Sequence, residues 1–426
     1  MEKKYAVEFL KERYLSSLKE DPTLFIGVEL EFPIVSKKRQ ATNIEVCKSL
    51  FVHLISNLGF EIEKYDDDKF PIQLFSKVNE DRILFEVSYT TIEIAFGKVE
   101  HIQEVDMRFQ RYLSVIQSYL DRYNHEIVGI GVNPNWDKND NSPVKTDRYK
   151  MLMSYLALSE KEEYKQCHHY PQYGAFICGN QVQLDVSRSN YIKVINLFNA
   201  IEPVKAYLFA NSRFTDSSWS TSISRDVFWE KSMHGLFEEN VGVNSREFQS
   251  EEDFFDYLSN SALFTVQREG EIYYFPPIKV KDYMSCASIT AYNLQGETQV
   301  IFPMINDLEH HRSYQYQDLT TRGTIEFRSV CAQKFSETFS VAAFHLGLLT
   351  NLDAFENIIK SNRFYDVSGR DYKFLRKKFS GINISDEDEQ LVNDFARILL
   401  DCAYEGLSRR KWKEENYLTP LYEKLS

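Results

Sequence analysis

The 426 residues exceed ordinary single-domain size and 43% of them are hydrophobic, so core material is ample and length alone leaves one large fold or two domains open. The balance of 50 basic against 63 acidic residues, a formal charge of -13, excludes general affinity for nucleic acid or anionic membrane; a small anionic ligand would need local cations or a metal. No apolar run reaches ~18 residues, and Met1-Glu2-Lys3-Lys4 leads into no signal-peptide core, which predicts a cytoplasmic protein without a membrane partner.

A charged amphipathic helix is predicted over residues 5–19. Leu24-Phe25-Ile26-Gly27-Val28-Glu29-Leu30-Glu31-Phe32 then alternates apolar and acidic residues. As a strand it places Glu29 and Glu31 on one face and sinks Val28, Leu30 and Phe32 into the core. Two adjacent carboxylates repel and call for a cation or solvent, so this strand reads as the wall of a metal site. A helix from Asn43 to Leu58 ends at Gly59. Strands at 83–87 and 92–96 carry Glu86 and Glu93, seven apart, which an unbroken strand would point to opposite faces; a turn or bulge around Tyr89–Thr91 is required if both serve one site.

A core helix follows over 104–123, then a short strand Ile127–Val132, a polar Asn/Asp loop and a helix beginning near Asp147. Gly129 and Gly131 precede a proline and a loop, so they make no dinucleotide fingerprint. Gln181–Val186 repeats the polar/apolar strand pattern, and helices are predicted over 191–210, 336–352 and 387–407. Residues 240–300 read as aromatic segments with short turns, and His310-His311 as a polar turn before the strand Thr324–Ser329, where Glu326 and Arg328 share a face. An acidic wall facing an arginine suits a metal-bound phosphate. Without repeats or a Pro/Gly-rich linker, one compact catalytic fold with helical additions, residues 1–426, is expected.

Cys47, Cys167, Cys178, Cys286, Cys331 and Cys402 form no Cys-x-x-Cys pair and read as buried free thiols. Cys167-His168-His169 has zinc-ligating residue types, yet no second pair stands at a familiar spacing, so a loop or core role is expected.

Several short motifs occur in one order: Gly129-Ile130-Gly131 with Pro134 and Trp136; Arg148-Tyr149 with Tyr155; Gln181-Val182-Gln183-Leu184-Asp185; and Phe209-Ala210-Asn211-Ser212 before Phe214-Thr215. Ser224-Arg225 with Trp229, Glu326-Phe327-Arg328, and Ala403, Gly406-Leu407, Arg410, Glu415 and Tyr417-Leu418 continue the series. In this order the chain resembles the plant and proteobacterial type of glutamate-cysteine ligase, within the glutamine synthetase-like carboxylate-amine ligases. The resemblance implies an α+β fold with a largely antiparallel, funnel-shaped sheet wrapped by helices. It also implies that ATP phosphorylates the side-chain carboxylate of glutamate and that the amine of cysteine attacks the acyl phosphate, giving an amide, ADP and phosphate.

That chemistry assigns Glu29, Glu31, Glu86, Glu93 and Glu326 to magnesium, with manganese as the alternative ion and Gln183 as a neutral contributor where a more distant relative uses histidine. Arg328 is assigned to the transferred phosphoryl group, Arg225 to the glutamate α-carboxylate, and Arg148 and Tyr149 to the substrate pocket. Trp136 and Trp229 are expected to pack near that pocket. The partners are then ATP, glutamate and cysteine. Two alternatives stay open: a related ligase using another amine, and a noncatalytic nucleotide or amino-acid binding protein.

Overall fold

The computed structural model describes residues 2–215 and 217–426. Its centre is a nine-stranded sheet built from β1 (Ile26–Ser36), β2 (Glu61–Tyr65), β3 (Pro71–Phe75), β4 (Arg82–Phe85), β5 (Thr91–Ala95), β6 (His125–Ile127) and β7 (Asn180–Asp185). The chain then forms β8 (Val241–Gly242), β9 (Ala262–Arg268), β10 (Glu271–Lys279), β11 (Ile289–Tyr292), β12 (Thr298–Ile301) and β13 (Tyr314–Gln315) outside it. It returns to the central sheet with β14 (Gln317–Leu319) and β15 (Thr324–Phe327). The strand order is β14-β15-β7-β1-β5-β4-β3-β2, with β6 also on β1, and every pairing in it is antiparallel. The fold is therefore a mixture of helix and antiparallel sheet.

Alternation along β1 decides which face is core. Val28, Leu30, Phe32 and Ile34 are buried while Glu29 and Glu31 are only partly covered. The buried face packs on helices. Ile44–Leu58 begins at Asn43, whose Oδ1 accepts from the N–H groups of Glu45 and Val46, and stops at Gly59, φ 73°. It pairs with Ile102–Asp121, which buries Val105, Phe109 and Ile116. Ser340–Thr350 is buried along nearly its whole length against Asp386–Arg410.

Several expected boundaries move. The first helix spans Glu2–Leu15, and the strand expected to run to Val132 stops at Ile127. There the backbone turns to another partner: Gly131 N–H donates to Asn211 O and Asn211 Nδ2 to Gly129 O. The helix expected over 191–210 is two, Tyr191–Ala200 and Glu202–Phe209, interrupted at Ile201 just before Pro203, which lacks a backbone donor. The helix expected over 336–352 starts later, at Ser340.

The largest departure lies in 240–300. It holds the helix Glu251–Leu258 and a four-stranded antiparallel sheet, β12-β11-β10-β9, whose edge hairpin β9–β10 turns on Glu269 and Gly270, both at positive φ. His311 is likewise no surface turn. It is buried, with Nδ1 on Tyr14 Oη and Nε2 on Ser261 Oγ, and so ties the first helix to the start of the second sheet. Among the described residues no helix is long and apolar enough to cross a membrane.

Candidate functional site

The face of the central sheet opposite the apolar one collects acidic side chains because the register puts them there. Glu31 lies opposite Glu93, Glu29 opposite Gln181, and Glu326 opposite Gln183. Glu86 joins them through the expected bend. β4 ends at Phe85, Val87 takes φ 58°, and Thr91 N–H closes a turn on Ser88 O, so that Glu86 N–H meets Thr91 O and β5 runs back beside β4. Leu84 and Glu93 are then cross-strand partners, and Glu86, two residues beyond Leu84, faces the same side as Glu93.

Glu29, Glu31, Glu86 and Glu93 line a cavity of about 230 Å³. Arg148, Arg225, Arg312 and Arg328 also line it, with Trp229, Tyr314 and Tyr316. Arg148 comes from the helix Asp147–Leu156, whose N-cap Thr146 accepts from Tyr149 N–H, and Arg225 from the helix Ser224–Glu230. Trp229 stacks on Tyr314, and Arg312 and Arg328 approach the Tyr314 ring at 5.7 and 5.9 Å from its centroid.

Crowding of like charges shows in the protonation of the wall. Burial, and then the charge of Glu326, push Glu29 up to about 7 against the pull of Arg328 and Arg322. Burial raises Glu31, opposed first by Arg225. Glu93 is raised well above the ordinary carboxylate range by burial and by Glu86, Glu29 and Glu31. Across the cavity His234 is forced the other way, to about 3, by burial and by Arg312 and Arg328, so its ring is neutral.

Specific hydrogen bonds orient the wall. Glu31 accepts from Gly179 N–H at 2.5 Å and from Gln181 Nε2 at 3.1 Å, and Glu29 accepts from Gln183 Nε2 at 2.9 Å. Tyr149 Oη donates to Glu86 at 2.7 Å, and Arg328 Nη1 donates to Glu326 at 2.7 Å.

Against this geometry, the comparison with known sequences is decisive: the sequence profile of glutamate-cysteine ligase family 2 (GCS2) matches residues 25–378. The chain belongs to the GCS2 family. It is 21% identical over 351 residues to the chloroplastic glutamate-cysteine ligase of Medicago truncatula, covering 78% of this chain and 62% of that protein. The chloroplastic enzyme of Arabidopsis thaliana is 21% identical, with coverage of 78% and 61%. The chain thus spans less than two thirds of the length of these plant relatives. A solved glutamate-cysteine ligase of Francisella tularensis in complex with AMP aligns with a TM-score of 0.44 at 12% identity, covering 96% of this chain and 82% of that one.

In this GCS2 chain the expected site residues fall into two groups. Glu29, Glu31, Glu86, Glu93, Arg148, Arg225 and Arg328 share the cavity. Tyr149, Gln183 and Glu326 stand behind it: Tyr149 holds Glu86, Gln183 is bonded to both Glu29 and Arg322, and Glu326 is paired with Arg328. The donor chemistry fits a hard divalent cation, since the wall offers carboxylate oxygens whose mutual repulsion a cation would relieve. Among the described residues no three His, Cys, Asp or Glu side chains already form a metal cluster.

Gln181, Asp226, His234 and Arg312 also line the cavity, although none stood among the expected site residues. Gln181 alone carried a signal, as the partner of Gln183 in a Gln-x-Gln strand. Trp136 packs on Phe176 and Phe214, while His168 is bonded through Nε2 to Phe228 O and through Nδ1 to Tyr170 N–H. The six cysteines are free thiols, five of them buried.

Proposed function

We propose that this chain is an ATP-dependent ligase that joins the γ-carboxylate of glutamate to the amine of cysteine, the opening step of a glutathione-type thiol synthesis. The observation that carries the reading is one cavity with four glutamates and four arginines in a chain matched to GCS2 over residues 25–378. A carboxylate is a poor electrophile; transfer of the γ-phosphoryl group of ATP to it makes an acyl phosphate, and attack by the amine expels phosphate as the amide bond forms. Arg328 stabilises the charge on the transferred group, its guanidinium held at the cavity edge by Glu326. Arg225 takes the glutamate α-carboxylate and Arg148 the incoming anion, its guanidinium 5.4 Å from the centroid of the Tyr149 ring.

Glu29, Glu31, Glu86 and Glu93 would hold magnesium, or manganese, which offsets the repulsion between nucleotide phosphates and the attacking carboxylate, while Gln183 and Glu326 orient the wall from neighbouring strands. The reading also takes the central sheet as a glutamine synthetase-like funnel and residues 1–426 as one catalytic domain. The test incubates purified chain with ATP, magnesium, glutamate and a panel of amines, and follows ADP release together with product mass. Amide formation fastest with cysteine supports the reading. A much faster second amine makes it a related ligase, and absence of both amide and amine-dependent ADP leaves only a binding role.

A further inference from the structure

Three polar atoms around the cavity are buried without a protein partner: Gln181 Oε1, Arg225 Nε and His234 Nδ1. Each belongs to a side chain more than nine-tenths buried. A buried polar atom left unpaired costs on the order of 1–3 kcal/mol, so such atoms on side chains that line a cavity point to a ligand that completes them.

Gln181 is the most constrained of the three. Its Nε2 donates to Glu31 Oε1 at 3.1 Å, and a carboxylate oxygen requires the nitrogen, not the oxygen, on that side. The amide is thereby oriented and Oε1 is left as a neutral acceptor. On the other side of Glu31 stands Arg225: an added Cβ on Gly179 would lie 2.7 Å from Arg225 Nη2 and 3.4 Å from Glu31 Oε2, which places guanidinium and carboxylate against the same backbone. Arg225 Nη1 is anchored on Val330 O at 2.9 Å while Nε is unpartnered.

A donor-rich cation and an oriented acceptor flanking one carboxylate match the two ends of an α-amino acid, an anionic carboxylate and a cationic ammonium. We propose that Gln181 is a specificity-determining residue that accepts a hydrogen bond from the α-ammonium of the acid substrate while Arg225 holds its α-carboxylate. The inference rests on the glutamate reading above and adds to it the group that distinguishes an amino acid from a plain dicarboxylate.

The test is calorimetric titration of the full chain with L-glutamate and with glutarate, which lacks only the α-amino group, in the presence of magnesium. The wild type should favour L-glutamate by about 10- to 100-fold, the range of a hydrogen bond to a charged group. Gln181→Met, similar in size but without the acceptor, should collapse that ratio toward one. Equal binding of the two acids by the wild type overturns the proposal whatever the variant does. A preserved ratio in Gln181→Met with weakened magnesium affinity also overturns it, by assigning Oε1 to the metal. Failure of both acids to bind defeats the glutamate reading itself, and this inference with it.

Discussion

Two groups of buried charge lie within this fold, and they are built on opposite plans. Behind the cavity, Glu202, Lys205 and Arg376 are buried and Asp226 reaches the cavity edge. Lys205 Nζ donates to Glu202 at 2.6 Å; Arg376 bridges Glu202 to Asp226; Ser329 Oγ and Gln317 also donate to Glu202, and Tyr316 Oη donates to Asp226 at 2.6 Å. Two acids meet two bases and the lone pairs are filled from within the protein. On the acidic wall the carboxylates face one another, and of the arginines that share the cavity Arg148, Arg225 and Arg312 make no ion pair within 4.0 Å among the described residues, while Arg328 pairs with Glu326. A charge cluster completed by the protein holds a fold together, whereas one left incomplete is a place for a ligand.

The largest effect should come from breaking the completed cluster. Arg376→Met leaves Glu202 and Asp226 without their shared cation in the core, and the expected loss of stability is about 3–5 kcal/mol, read from urea unfolding. Lys205 cannot compensate, since burial already pulls its ammonium below the ordinary range against the attraction of Glu202. A loss under about 1 kcal/mol would show that this cluster is not what joins the helix Tyr372–Phe379 to Glu202–Phe209.

Removing a charge from the wall should do the reverse. Glu29→Gln is expected to lower turnover on the order of 10²-fold while leaving the metal-free melting temperature unchanged or higher. The sign follows from the raised carboxyl: its folded value of about 7 lies above the unfolded 4.5, so the stability it contributes is present below 4.5 and lost as pH rises through 7. An uncharged amide removes that cost at neutral pH. Wild type should gain melting temperature from magnesium and Glu29→Gln should gain much less. A variant that melts lower without metal and responds to magnesium like wild type would place Glu29 among structural residues.

The same titration gives a smaller, graded effect. Below about pH 7 a cation must displace a proton from Glu29, so apparent magnesium affinity should climb by up to roughly tenfold per pH unit toward 7 and flatten above it. Calorimetric titration at several pH values measures this. A flat profile across pH 6 to 8 would mean that the cation binds without drawing on Glu29.

How much of this contrast could be read beforehand differs between the clusters. The wall was legible because strand alternation is local: Glu29-x-Glu31 and Glu326-x-Arg328 declare a polar face within three residues, and a turn or bulge around Tyr89–Thr91 was required if Glu86 and Glu93 were to serve one site. The completed cluster was not. Glu202, Asp226, Ser329 and Arg376 come from four separated segments, and nothing in their local patterns marks them as partners. Long-range pairing hid Arg312 and His234 for the same reason. The second sheet was missed because its hairpin turns on Glu269-Gly270, a weaker signal than Asn-Gly, within a run dense in aromatics.

The smallest change sits where the wall meets the cationic side. Gly179 is not among the residues at positive φ, so alanine is allowed there by the backbone, and the sole obstacle is the added methyl group. That methyl would stand 2.7 Å from Arg225 Nη2 and 3.4 Å from Glu31 Oε2, and a guanidinium on a flexible stem yields before a strand does. Gly179→Ala should therefore displace Arg225 and leave Glu31 on its Gly179 N–H bond. The expected result is an acid-substrate KM raised about 3- to 10-fold with kcat and magnesium affinity changed little, because a sub-ångström misplacement at a binding arginine weakens recognition more than chemistry. Steady-state kinetics alongside magnesium titration separates the two sides of the cavity. A drop in magnesium affinity with unchanged KM would show that the strand carrying Glu31 gives way instead, and that the acidic wall is the softer of the two surfaces.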